Sequence, residues 1–159
     1  MNTLKLDLNT LSLSSDIIAV LLDHNVFEGV LHDGVCVEDV LAELNSHLLV
    51  QVGVNGEFAG FFSLEDLGTF AGKRCVEVHA YLLPHMRKYS LMLLGQFRDF
   101  IFGTTSFDVI MTSAYSNLRH VHLLLKRVGF TDFTEREDVT TFNGVSVNQK
   151  HYYLNKTED

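Results

Sequence analysis

Glu77 and His79 stand two residues apart in the run Cys75-Val-Glu-Val-His-Ala-Tyr-Leu-Leu83. In an extended strand, a period of two puts Cys75, Glu77, His79, Tyr81 and Leu83 on one face. Val76, Val78, Ala80 and Leu82 then fall on the other. Glu77 and His79 are the titratable pair of the first face, about 7 Å apart along the strand. A carboxylate and an imidazole are side chains suited to proton transfer, so general acid–base chemistry is within their reach. The blander reading is a surface Glu77 and a packed, hydrogen-bonded His79, and the spacing leaves both open. Just after Pro84, Arg87 and Lys88 place two cations at the start of an amphipathic helix, where the helix dipole favours acids. A bound anion accounts for them; so does a solvated turn.

Other chemistries find less support. The chain has eight histidines, but His120 and His122 sit two apart on an expected helix, about 200° around its axis, and cannot share an ion. His79 and His85 straddle the Pro84 turn without an obvious third ligand, and there is no His-Glu-x-x-His, so no metal is expected. Neither a Gly-x-Ser-x-Gly elbow nor a phosphate-binding P-loop is present. The two cysteines, Cys36 and Cys75, fit no zinc-binding spacing and cannot build a disulfide framework. Cys75 opens an apolar strand and is expected to pack rather than react.

Charge and length narrow the partners. Twelve Lys and Arg against 20 Asp and Glu give a net charge of −8 over 159 residues. Such a chain is a poor binder of nucleic-acid backbone, which needs clustered cations, and its field favours basic partners such as cationic amines. No apolar stretch is long enough to cross a membrane, and the first residues lack a cationic segment followed by an apolar block. A cytoplasmic protein is expected. With a single proline and no linker, repeat or low-complexity tract, residues 1–159 are expected to form one domain.

The elements that must position these residues follow from periodicity and punctuation. Leu4 to Asp7 alternates as an edge strand. Ser14 or Ser15 caps a helix carrying Ile17, Ile18, Leu21 and Leu22, and Val37, Val40, Leu41 and Leu44 mark a second. Asn55-Gly56 joins two apolar runs, His47 to Val54 and Glu57 to Phe62, as a hairpin. A polar loop is expected around Gly68 to Lys73, then the long strand ending at Pro84. A helix from about Arg87 to Phe102 should stop at Gly103, and Phe107 to Met111 reads as a buried strand. Ser116 or Asn117 caps another helix closed by Gly129, and strands at Phe130 to Glu135 and Val145 to Leu154 flank a turn at Asn143-Gly144.

This order, with two local patterns, resembles the GCN5-related N-acetyltransferase (GNAT) superfamily. One pattern is Pro84-x-x-Arg87 after the long strand; the other is Asn117 followed, past a helix, by Lys126-Arg-Val-Gly-Phe130. The recognisable sequence covers roughly Val76 to Phe130. The resemblance implies an α/β fold, a mixed, mostly antiparallel sheet flanked by about four helices. It implies acetyl-CoA as cofactor, its pyrophosphate at the helix start after the long strand. Leu82, Leu83, Arg87, Lys88, Tyr89 and Ser90 would line that site, although Met92 stands where the family has a very small residue. Asn117 would face the cofactor or simply cap its helix, the reading favoured here. The base for an amine would be Glu77 or His79. The family's usual tyrosine acid falls at Leu125, leaving Tyr115 as a displaced candidate.

The expected function is therefore N-acylation of an amine on a small molecule or protein. The alternative is a non-catalytic module of the same fold. Divergent acetyltransferase-like proteins of tailed bacteriophages, some of them virion-associated, are similar in their loose motif and low proline content. In that alternative Met92 fills the phosphate channel, and the chain self-associates or binds a host protein within a larger assembly.

Overall fold

The structure is a computed structural model that describes residues 6–157. A short edge strand, β1 (Leu6–Thr10), leads into α1 (Ser15–Asp23) and α2 (Val37–Leu44). Three antiparallel strands follow, β2 (Leu48–Val54), β3 (Glu57–Phe70) and β4 (Lys73–Leu82). A 3-10 turn over Pro84–Tyr89 runs directly into α3 (Ser90–Thr104); β5 (Val109–Tyr115), α4 (Arg119–Val128), β6 (Thr131–Phe142) and β7 (Val145–Asn155) complete the order. The local causes are those expected of the sequence. Ser14 accepts a hydrogen bond from the Ile17 N–H at the start of α1, Asn55-Gly56 and Asn143-Gly144 take positive φ in two tight turns, and Gly129 ends α4 in the left-handed region at φ 113°.

The seven strands among the described residues join one sheet in the order β1-β2-β3-β4-β5-β7-β6. Every neighbouring pair is antiparallel except β4 and β5, which run parallel. Helices cover both faces. Phe97 of α3 stacks on Phe62 of β3 with ring centroids 3.9 Å apart and planes within 2°, and α4 brings His122 to Tyr152 of β7. On the opposite face Phe27, past the end of α1, packs on Tyr81 of β4. The core between these layers is apolar; Leu21, Val52, Phe61, Val76, Ile101 and Tyr152 are completely buried. Burial at these positions is the main driving force for the layered arrangement.

Several boundaries differ from the sequence expectation. Of the first strand, residues 4 and 5 lie outside the described residues, and pairing extends it to Thr10. The expected loop at Gly68 to Lys73 is replaced by strand: β3 and β4 keep pairing out to Phe70 and Lys73, past a register shift between Asp66 and Gly68. A bulge absorbs the polar residues there without ending the ladder. The helix expected from Arg87 begins at Ser90, because the Pro84 segment winds as a tighter 3-10 turn. Gly103 lies inside α3, which continues to Thr104. Thr104 and Thr105 each return a side-chain hydrogen bond to the preceding turn there.

Candidate active site

The parallel pair β4 and β5 is joined over only three positions, Cys75 to Val109, Val76 to Ile110 and Glu77 to Met111. Beyond them the two strands separate, while β4 stays bonded to β3 as far as Leu82 and β5 stays bonded to β7 as far as Tyr115. The result is a wedge in the middle of the sheet with its apex at Glu77 and Met111. The Leu83 N–H donates to the Ala59 carbonyl at 2.9 Å. By alternation, Tyr81 and His79 also bond towards β3, the Val78 N–H closes the last pair with Met111, and Ala80 and Leu82 turn their N–H and C=O groups into the wedge. Unpaired strand edges of this kind seek a partner that carries amides of its own.

The mouth of the wedge opens onto the start of α3. Arg87 and Lys88 are exposed on the 3-10 turn, Lys88 lies over the Tyr89 ring at 5.2 Å, and the Ser90 hydroxyl donates to the Arg87 carbonyl at 2.6 Å. No acidic residue occupies the first turn of α3 or of α4, whose first residues are Arg119 and His120. Both helix starts beside the wedge thus favour negative charge in a chain that is acidic as a whole. Leu83 does not share in this: its N–H is already bonded to β3. Asn117 is exposed and does not cap α4, whose N-cap position is Leu118 with no side-chain bond. The cap expected at Asn117 or Ser116 is absent because Ser116 bonds instead to Asn148 of β7.

At the apex, Glu77 and His79 come together. His79 Nε2 lies 3.4 Å from Glu77 Oε1, both side chains about one-third exposed. The His79 imidazole beside it, with His151 and His47 further off, holds the Glu77 carboxyl below its ordinary range despite partial burial. An ionised carboxylate only accepts, so the imidazole carries a hydrogen at Nε2, and the tautomer that does so in the uncharged ring has its lone pair at Nδ1. His47, just before β2, sits 3.5 Å from Glu65 of β3, and its Nδ1 is buried without a partner. Ser113 pairs across the sheet with His151, placing that imidazole on the same face.

Two phenols stand further out. Tyr81 stacks on Phe61 at 4.9 Å, and burial with the charges of Glu43 and Glu77 pushes its pKa up to about 12. Tyr115, at the end of β5, is likewise raised by burial and Glu43, so it stays protonated. Its ring meets Phe142 at 5.4 Å and His32 at 6.2 Å. That corner is latched by Asp33. Its carboxylate accepts from the N–H groups of Asn143 and Gly144 and from the Thr141 hydroxyl, tying the loop before α2 to the β6–β7 turn. Glu77 and His79 are therefore together at the apex, Tyr115 is on the opposite arm of the wedge, and Arg87 to Ser90 are at the mouth. Sequence reasoning missed His47, His151 and Glu43. The alternation of β7 carried a signal for His151, but its place beside β5 is a matter of topology.

Among the described residues no three His, Cys, Asp or Glu side chains are grouped to hold a metal ion, and no helix is long and apolar enough to cross a membrane. Two shallow grooves of about 310 Å³ lie away from the wedge. One is between α1 and Gln51 and Phe58; the other is beneath the end of α3 at Leu48, Val50 and Phe100.

A family model described as a protein of unknown function, DUF2824, matches residues 31–159. The chain belongs to the DUF2824 family. No curated protein matches it. Solved structures do. Spermidine N-acetyltransferase from Vibrio cholerae, in complex with CoA and spermine, superposes with a TM-score of 0.75 at 16% identity, over 94% of this chain and 95% of that one. A putative phosphinothricin N-acetyltransferase gives a TM-score of 0.75 at 20% identity, over 97% and 100%. The putative acetyltransferase yncA from Salmonella typhimurium, with its cofactor acetyl-CoA, gives 0.67 at 18%, over 97% and 95%. At such identities the likeness is one of fold, and this DUF2824 member has the GNAT fold, with a mostly antiparallel seven-stranded sheet and four α-helices among the described residues.

Proposed function

We propose that this DUF2824 chain is an acyl-CoA-dependent N-acyltransferase acting on an amine of a small molecule or protein. The observation that carries the reading is the β4–β5 wedge, whose open edges lead to a helix start bearing Arg87 and Lys88. An extended chain with its own amides, ending in a diphosphate, matches both parts: the amides meet the strand edge at Ala80 and Leu82, and the phosphates meet Arg87, Lys88 and the dipole of α3. Tyr89 and Ser90 would line the mouth, and Asn117, two residues before α4, would face the cofactor from the end of β5. The structural neighbours with CoA or acetyl-CoA support this.

Acetyl-CoA, when bound, supplies the thioester that an amine attacks. The chain's own residues then manage protons. His79, with Glu77 holding its Nε2 hydrogen, receives the amine proton at Nδ1, directly or through water. Tyr115 keeps its phenolic proton at neutral pH and can return one to the departing sulfur. Net acidity draws a cationic amine towards the site. Calorimetry with acetyl-CoA tests the reading; no heat and no thermal shift would discard it.

One observation favours a second reading, a non-catalytic module of the same fold. The 3-10 winding of Pro84–Tyr89 engages its backbone amides internally, and Met92 is half-buried in the first turn of α3. In that reading the chain serves as a binding or structural part of an assembly, self-associated or bound to a protein partner, and a virion is one setting. A monomer that turns over acetyl-CoA with an amine would exclude it.

A further inference from the structure

A chain of hydrogen bonds beside the wedge takes no part in the chemistry above. Tyr152 of β7 is completely buried, and its hydroxyl lies 2.5 Å from Nδ1 of His122 on α4. The other ring nitrogen of His122, Nε2, is 2.9 Å from the backbone carbonyl oxygen of Tyr115. A carbonyl oxygen only accepts, so Nε2 carries the hydrogen. Nδ1 then holds the lone pair, and the Tyr152 phenol donates to it. Both ring nitrogens are satisfied in one tautomer, and exchanging the tautomer loses the bond to the Tyr115 carbonyl, because an unprotonated Nε2 faces an acceptor.

The carbonyl at the end of this chain occupies a particular place. Ser116 N–H donates to the Asn148 carbonyl at 2.8 Å, and Ser116 Oγ accepts from the Asn148 N–H at 2.9 Å. Ser116 thus faces β7, and by alternation Tyr115 and Ser113 turn their backbone groups towards β4, into the wedge. The Tyr115 oxygen also accepts from the Leu118 N–H at 3.0 Å. Both of its acceptor directions are filled from its own chain, and it has none to offer an amide of β4.

We propose that His122, backed by Tyr152, is a positioning residue. It occupies the last carbonyl on the open edge of β5 and holds the corner between β5 and α4 away from β4. The inference rests on the reading of the wedge as the coenzyme slot, since it assigns to His122 the task of keeping that slot open and Tyr115 aimed. Leucine at 122 keeps the bulk but removes both bonds. Glutamine restores a donor and an acceptor on one side chain. Tyr152→Phe leaves Nε2 bonded but Nδ1 unpaired.

The test uses the full chain and two separate readouts. Nitrogen NMR of the isotope-labelled protein without coenzyme should find His122 as the Nε2–H tautomer. In His122→Leu the Leu118 amide should exchange with solvent about tenfold faster, and in His122→Gln most of that protection should return. Calorimetry should find acetyl-CoA binding weakened about tenfold in His122→Leu and recovered in His122→Gln. An Nδ1–H tautomer, or His122→Leu with unchanged Leu118 exchange, overturns the proposal. So does unchanged coenzyme affinity in His122→Leu when the wild-type chain binds. Absence of binding by the wild-type chain overturns the coenzyme reading instead, while the tautomer and exchange data still decide whether His122 holds the corner.

Discussion

Glu77 of β4 and Met111 of β5 are the last residues at which the two parallel strands face each other. The candidate catalytic and anion-binding side chains are arranged around the point where they part. The carboxylate of Glu77 and its imidazole partner sit at the apex, the cations sit at the mouth, and the Tyr115 phenol lies on the far arm.

Reversing the charge at the mouth should weaken the anion site. Arg87→Glu removes an exposed cation beside the start of α3 and adds repulsion, so acetyl-CoA should bind about tenfold more weakly. The loss should shrink as salt is added, because the site is open to solvent. Calorimetric titrations at two ionic strengths provide the check, and circular dichroism should show an unchanged fold.

Proton transfer at the apex should fail before binding does. His79→Gln keeps a hydrogen-bond donor for Glu77 but no basic nitrogen, so turnover should fall about 10²–10⁴-fold. The affinity for acetyl-CoA should hardly change, since His79 lies beside Glu77 at the apex and not with Arg87 and Lys88 at the mouth. Steady-state kinetics with an amine acceptor, alongside direct binding, separate the two effects.

Gly60 marks the tightest backbone approach on the arm of the wedge. Its φ is +133°, and a Cβ there would lie 2.1 Å from the Tyr81 carbonyl oxygen and 2.8 Å from the Leu82 Cα. Since both obstacles are backbone, Gly60→Ala must shift β3 against β4 and should cost about 2–3 kcal/mol. Denaturant unfolding measures this directly, and coenzyme binding should suffer with it because β4 lines the slot.

Tyr81 should be the late-titrating phenol of the chain. Burial and the nearby Glu43 and Glu77 raise its pKa to about 12 from an ordinary 10.0. The folded state therefore holds this proton more tightly than the unfolded chain does. That contribution to stability is complete below pH 10.0 and disappears as the pH rises through about 12. Ultraviolet titration should show one tyrosine ionising near the alkaline unfolding transition, and Tyr81→Phe should remove that step. Loss of the step in Tyr115→Phe instead would contradict the assignment.

Much of the architecture could be read from local punctuation. Ser14, the two Asn-Gly turns and Gly129 announced their elements because each answers a local need, an orphan amide or a positive φ. The pairing of Glu77 with His79 was legible for the same reason, since a period of two is a property of one strand. Where reading failed, competition between distant groups decided the outcome. Asn117 is a good cap by type, yet the corner it occupies is set by Ser116 bonding to Asn148 and by His122 bonding to Tyr115. The polar run after Glu65 reads as a loop, but β4 supplies a partner strand that keeps it extended to Phe70.

The sequence by itself determined most of the segments that become strands and helices, which face of the long strand carries titratable groups, and the sign of the field around them. Those properties depend on near neighbours and on composition. Only the tertiary structure decided that β4 and β5 lie side by side, that they part after three residue pairs, and that His151, His47 and His122 come close to the opening. Strand order and the length of a parallel pairing depend on packing between residues far apart in the chain, and no local periodicity records that.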